Sequence, residues 1–157
     1  MTATKVIGES VKQTNRTFIK SYVEDYAKAI TENYRRYHIN TLNGNLHGNY
    51  PEYAREQLDE IENGTANLMF FKVKSGKKYY KIIQQQFETW EGSKYYGKYR
   101  DASVHAFVDK KTGQVFKPAG WAKPAKHVRY DMRIINQRQL LHNPNFTGWA
   151  GGYLYMR

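Results

Sequence analysis

Between positions 18 and 37 the apolar residues return at close to helical spacing. Phe18, Tyr22, Tyr26, Ile30, Tyr34 and Tyr37 form a stripe that Ile19 and Val23 broaden, while Lys20, Glu24, Asp25, Lys28, Glu32, Arg35 and Arg36 take the opposite face. The pattern predicts a long amphipathic helix, capped by Thr14 or Asn15 and running to about His38. Its tyrosines read as core, because the rings bury large areas while the hydroxyls reach the edge. Residues 1–13 lack sustained periodicity and read as a loose arm. The stretch TLNGNLHGN (41–49) reads as a loop. A second, acidic helix follows, with Asn49 or Tyr50 as cap, Pro51 in the first turn, Ala54, Leu58 and Ile61 on one face, and Gly64 as its stop.

After Gly64 the period changes to that of strands. LMFFKVK (68–74) and KKYYKIIQQQFETW (77–90) read as a hairpin turning at Ser75-Gly76, and ASVHAFVD (102–109) with QVFK (114–117) as another. Strict alternation in the second hairpin turns Val104, Ala106, Val108 and Val115 inward and places Ser103, His105, Phe107 and Phe116 on the other face. VRYDM (128–132) offers a further strand, and a short helix from Arg133 through Leu141 is stopped by Pro144. The predicted fold is α+β: a single domain over 14–157, with a mainly antiparallel sheet of three to five strands packed on the long N-terminal helix and a second short helix. Residues 14–64 form its helical part and 65–157 its basic, β-rich part.

Charge sharpens this division. The 157-residue chain carries a formal charge of +11, yet residues 1–64 hold eight Lys/Arg against nine Asp/Glu, so the whole excess lies after Gly64. Such asymmetry points to an anionic partner. The chain has no cysteine, which excludes disulfides, thiolate metal sites and cysteine nucleophiles. The longest apolar runs are too short to cross a bilayer and no signal peptide is evident, so the expected location is cytoplasmic, without a membrane partner.

Tyrosine is interleaved with lysine and arginine in KKYYK (77–81), SKYYGKYR (93–100) and HVRYDMR (127–133). Gly92 and Gly97 mark 91–100 as a mobile loop that exposes some of Lys94, Tyr95, Tyr96, Lys98, Tyr99 and Arg100. Rings beside cations suit single-stranded nucleic acid, where stacking tolerates any base and cations follow the backbone. They suit a protein interface equally. Pro118 and Pro124 restrain the chain around Trp121, with Lys117, Lys123 and Lys126 flanking it, and Arg129 and Tyr130 repeat the pairing of phosphate binder and stacking ring. Five histidines show no metal spacing, and P-loop, GxGxxG and GxSxG motifs are absent. His105 and Asp109 are separated by more than about 10 Å along one strand, too far for a direct dyad. No catalytic residue, metal or cofactor is expected.

The run SVHAFVDKKTGQVFKPAGWAKPAKHVRYDMR (103–133), with the ending WAGGYLYMR (149–157), resembles small tailed-phage proteins of unknown function. The resemblance implies a phage origin, with action in the cytoplasm of an infected bacterium or incorporation into its virion. It carries no activity. The expected function is a small nonenzymatic protein whose basic part binds an anionic partner, nucleic acid first. The alternatives are a protein that modulates a host protein and a virion component.

Overall fold

The computed structural model describes the backbone of residues 3–155 and the side chains of residues 18–155. Helix α1, Ala3–Asn45, extends beyond the expected bounds at both ends. Its backbone is helical across most of the segment read as a loose arm, 1–13, whose side chains lie outside the described residues. Propagating an established helix adds a hydrogen bond for each residue fixed, and no proline interrupts this stretch. At the other end the helix continues about two turns past the expected stop, into the segment read as a loop, and buried Leu42 anchors that extension.

The buried stripe of α1 is centred differently from the expectation. Ile19, Val23, Tyr26, Ala27 and Ile30 are enclosed, Tyr22 and Tyr34 are half-buried, and Phe18 and Tyr37 are 53% and 52% exposed. A row of residues spaced by four drifts about 40° per step around a helix of 3.6 residues per turn. The 4, 3, 4 spacing of Ile19, Val23, Tyr26 and Ile30 stays over the sheet, whereas the row through Phe18 rotates away. Helix α2, Pro51–Glu62, begins without a side-chain cap and packs Ala54 inward. Gly64 closes it at φ 74°, a left-handed conformation that costs a glycine little.

Five strands follow as an antiparallel meander in sequential order: β1 Phe70–Ser75, β2 Tyr79–Phe87, β3 Tyr99–Asp109, β4 Gln114–Phe116 and β5 Tyr130–Asp131. Helix α3, Ile135–Leu141, ends before Pro144, and a 3-10 turn, Gly152–Leu154, lies near the end of the described chain. The core is a single layer between α1 and one sheet face, built around Tyr26, Ile30, Phe71, Ile82, Val108 and Leu141. Thr31 secures the edge of this layer: its hydroxyl accepts the Phe71 N–H at 3.0 Å and donates to the Ala27 carbonyl at 2.9 Å. The domain is thus α+β, as expected.

Strict alternation fails in β3. Register shifts between Ile82 and Ile83 and between Gln84 and Gln85 bend its pairing with β2, with Ile82 opposite Ala106 and Ile83 opposite Val104. His105 is the extra residue between those pairs, and it turns into the core against Phe71, with ring centroids 5.1 Å apart, instead of sharing a face with Phe107. Phe107 and Phe116 pack on Tyr79 across the other face, while Val104 is only half-buried.

Replacing Ile30 by alanine should therefore cost about 2–5 kcal/mol, the usual range for emptying a buried aliphatic site. Phe18→Ala should change stability by no more than about 0.5 kcal/mol, as for exposed positions. Urea denaturation of both variants measures the contrast, and equal losses would mean that the stripe is centred where the fourfold spacing put it.

Candidate nucleic-acid interface

The connection from β2 to β3 presents three exposed rings, Trp90, Tyr95 and Tyr96. Main-chain hydrogen bonds brace this segment, which its glycines marked as a loop. The Glu88 N–H donates to the Lys98 carbonyl at 2.9 Å and the Gly97 N–H to the Glu88 carbonyl at 3.0 Å, with Gly97 at φ 73° to make the turn. Further bonds from Ser93, Tyr96 and Lys98 to carbonyls within the loop complete it. Lys94 lies over the Tyr95 ring, 5.0 Å from its centroid, and Lys98 is exposed beside it. Tyr99 and Arg100 are bonded within the chain. The Tyr99 ring packs edge-on against Phe70 and Phe87, and its hydroxyl donates to the Leu68 carbonyl at 2.9 Å. Arg100 pairs with Glu88 at 3.0 Å and also donates to Gln86, so two of its three nitrogens are engaged inside the chain.

The second expected group lies on the excursion between β4 and β5. Pro118 and Pro124 face each other across an isolated antiparallel bridge, making 117–125 a narrow loop with Trp121 at its end. Lys81 reaches out from β2 to donate to the Trp121 carbonyl at 2.6 Å, fixing that end beside the sheet face opposite α1. Trp121 is 49% exposed, and Lys123 and Lys126 are exposed with it. Lys117 is drawn elsewhere, 4.2 Å from the centroid of the Tyr155 ring. Arg129 and Tyr130 are likewise bonded within the chain. Arg129 donates to the carbonyls of Leu154 and His127, and the Tyr130 hydroxyl donates to the Tyr153 carbonyl at 2.6 Å.

Sequence reading missed a third group. The β1–β2 and β3–β4 turns lie side by side, tied by the Lys110 N–H donating to the Lys78 carbonyl at 3.1 Å. Around the half-open cavity between them, about 470 Å³, stand Lys77, Lys78, Lys110 and Lys111, with Tyr80 behind. Lys110 donates to the Ser75 hydroxyl at 2.5 Å and lies 4.9 Å from the Tyr80 ring centroid. None of the four forms an ion pair among the described residues, whereas nearby Lys72 and Lys74 both pair with Asp101. The acidic helix α2 does not neutralise them, because it packs on α1 and its carboxylates form no ion pair among the described residues. The available signal was KKYYK together with DKKTG, two lysine pairs at turns that adjacent hairpins must bring to the same end of the sheet.

His105 has no place on this surface. Its Nε2 is 2.7 Å from the Tyr153 hydroxyl, which is 2.5 Å from the hydroxyl of fully buried Tyr26. Tyr153 is the only hydrogen-bond partner of the Tyr26 hydroxyl among the described residues. A buried hydroxyl proton without an acceptor is costly, so Tyr26 donates to Tyr153 and Tyr153 donates to His105 Nε2. The imidazole is therefore neutral, with its proton on Nδ1. Burial pushes its pKa down from 6.5 to about 4 and pushes the Tyr26 and Tyr153 hydroxyls up.

A depressed histidine pKa means that the unfolded chain takes up a proton first as pH falls. Stability is then complete above pH 6.5 and declines down to about pH 4, by on the order of 3 kcal/mol for the full shift. Half-buried His38, lowered by the same cause, adds a smaller decline of the same sign. Denaturation at pH 7, 6 and 5 should show this loss above the range where carboxylates titrate, and His105→Gln should remove most of it. A flat profile in the parent chain would show that the imidazole reaches solvent freely.

No curated protein and no solved structure matches the chain. The model of a family of unknown function, DUF7717, matches residues 5–156, nearly the whole sequence and both the helical and the basic part, so the chain belongs to that family.

Proposed function

We propose that the protein is a nonenzymatic binder of single-stranded nucleic acid. The observation that carries this reading is the cavity of four lysines without carboxylate partners among the described residues, because a cluster of like charges held this close favours an anion of several charges. The exposed rings supply the other requirement. Trp121 stands near the middle of the outer sheet face, and Trp90, Tyr95 and Tyr96 stand at the end opposite the lysine cavity. The nine residues of β2 separate those ends by roughly 30 Å, a length that several nucleotides of extended strand can follow. Cations along the path hold phosphates while the rings stack on bases irrespective of sequence. The phage resemblance supports an activity inside an infected bacterium.

A protein partner is the second reading, favoured by one feature. Val128, Ile134, Ile135 and Leu140 are all exposed around α3, giving the basic part an apolar surface that nucleic acid does not need.

Fluorescence anisotropy with a labelled oligonucleotide, repeated over a range of salt, separates the two. The paired change Lys78→Ala and Lys111→Ala should weaken binding for all sequences and reduce the slope of log affinity against log salt by about 0.7 for each phosphate no longer neutralised. Tyr96→Ala should cost on the order of 1–3 kcal/mol with the slope unchanged. Arg100→Ala should leave the slope alone, since its partner is Glu88. Affinity independent of salt, or lysine variants that bind like the parent, would overturn the nucleic-acid reading.

A further inference from the structure

Strand β4 pairs with β3 only at Phe107 and Val108, so the β3 edge from Ser103 to His105 faces a cleft instead of a neighbouring strand. The cleft, about 360 Å³, is closed on its far side by the C-terminal turn and lies within the size range of small-ligand sites. Its side chains supply mainly hydrogen-bond donors. The Ser103 hydroxyl is 3.4 Å from the Gln84 side-chain oxygen and donates to it, which leaves the Gln84 amide N–H₂ as a donor. Lys117 brings an ammonium group, and no carboxylate among the described residues lines the cleft.

The floor is His105, 8% exposed, with Nε2 committed to Tyr153 and the proton on Nδ1. That Nδ1 has no hydrogen-bond partner among the described residues, yet no enclosed side-chain nitrogen or oxygen there lacks one. The Nδ1–H is therefore accessible, and the opening that His105 meets is this cleft. Three donor-bearing side chains thus line a space to which no described carboxylate contributes. Trp149 and Tyr155 add aromatic rings to the lining, and the Trp149 ring packs on Tyr34 and Tyr37 at centroid distances of 5.4 and 5.3 Å.

We infer that the cleft binds a nucleotide-sized ligand, a phosphate monoester attached to a flat ring. Lys117, the His105 Nδ1–H and the Gln84 amide receive the phosphate oxygens, and the ring lies against Trp149. A free mononucleotide and the 5′-phosphorylated end of a strand share this chemistry. Only the strand-end form rests on the nucleic-acid reading above.

Heteronuclear NMR titration of the whole chain with adenosine 5′-monophosphate, adenosine and inorganic phosphate tests the site. The monophosphate should move the His105 imidazole, Gln84 side-chain amide and Trp149 indole signals, and should bind at least about tenfold more tightly than adenosine, as expected for a charge-assisted hydrogen bond. Lys117→Ala should abolish that preference, and Ser103→Phe, at an exposed strand position beside the cleft, should block binding altogether. Lys123→Ala, outside the cleft, should bind like the parent. Unmoved cleft signals, equal binding by the parent and Lys117→Ala, or inorganic phosphate binding as tightly as the monophosphate would each overturn the inference.

Competition then distinguishes the two sources. Displacement of the monophosphate by a pentanucleotide only when it bears a 5′-phosphate identifies a strand end, and no displacement by either form identifies a free nucleotide. Equal displacement by both forms would mean that the phosphate end is not read, against the inference. Loss of oligonucleotide binding at the lysine cavity leaves the monophosphate titration unaffected, so the two readings fail separately.

Discussion

The hydroxyl of Tyr26 is buried in the middle of the helix face that covers the sheet, and its need for a partner organises much of the molecule. An unpaired hydroxyl there would cost about 1–3 kcal/mol. Tyr153 meets that need from 127 residues away, which pins the C-terminal turn against α1. Tyr153 in turn requires an acceptor for its own proton, and the register shift in β3 delivers His105 to supply one. One buried polar atom thus links helix, sheet and tail and fixes the tautomer of the only buried histidine among the described residues.

Other polar residues of α1 extend the same tie. Asn33 donates to the Pro144 carbonyl at 2.7 Å and accepts the Trp149 N–H at 2.9 Å, so a single side chain holds two points of the C-terminal segment. His142 reaches back to donate to the Tyr22 carbonyl at 2.8 Å, and Arg138 lies over the Tyr22 ring. The segment after α3 therefore behaves as an outer layer of the helix, although it has little regular structure of its own. These bonds to α1 place it as the far wall of the cleft beside β3.

Periodicity made the elements legible, because α1, both hairpins and α3 bury enough apolar surface for their patterns to show. It failed where the period itself changes. Alternation through Ser103–Phe107 assigned His105 to the wrong face, since a bulge adds a residue that no two-residue period contains. Tyr99, Arg100, Arg129 and Tyr130 carry intramolecular bonds that composition cannot show, such as those from Arg100 to Glu88 and from Arg129 to the Leu154 carbonyl. Tyr95, Tyr96 and Trp121 remained exposed for a reason the sequence did contain: each lies in a turn limited by glycine or proline, where no regular face is available to bury it.

The lysine cavity was hidden for a different reason, since it belongs to topology. Lys77-Lys78 and Lys110-Lys111 are separated by a full hairpin, and only the sequential antiparallel order of β1 to β4 brings their turns together. Two unit charges about 6 Å apart in water repel by somewhat under 1 kcal/mol, and four around one cavity make six such pairs, so the cluster carries a repulsion on the order of a few kcal/mol before salt screens it. Tyr80, a core residue that backs the cavity, partly offsets that penalty, because Lys110 lies over its ring. Asp101 could not relieve it, being fixed by Lys72, Lys74 and Gln85 further along the sheet. The four lysines stand on turns at the rim of the packed layer, so an anion arriving from outside can neutralise them without entering the core.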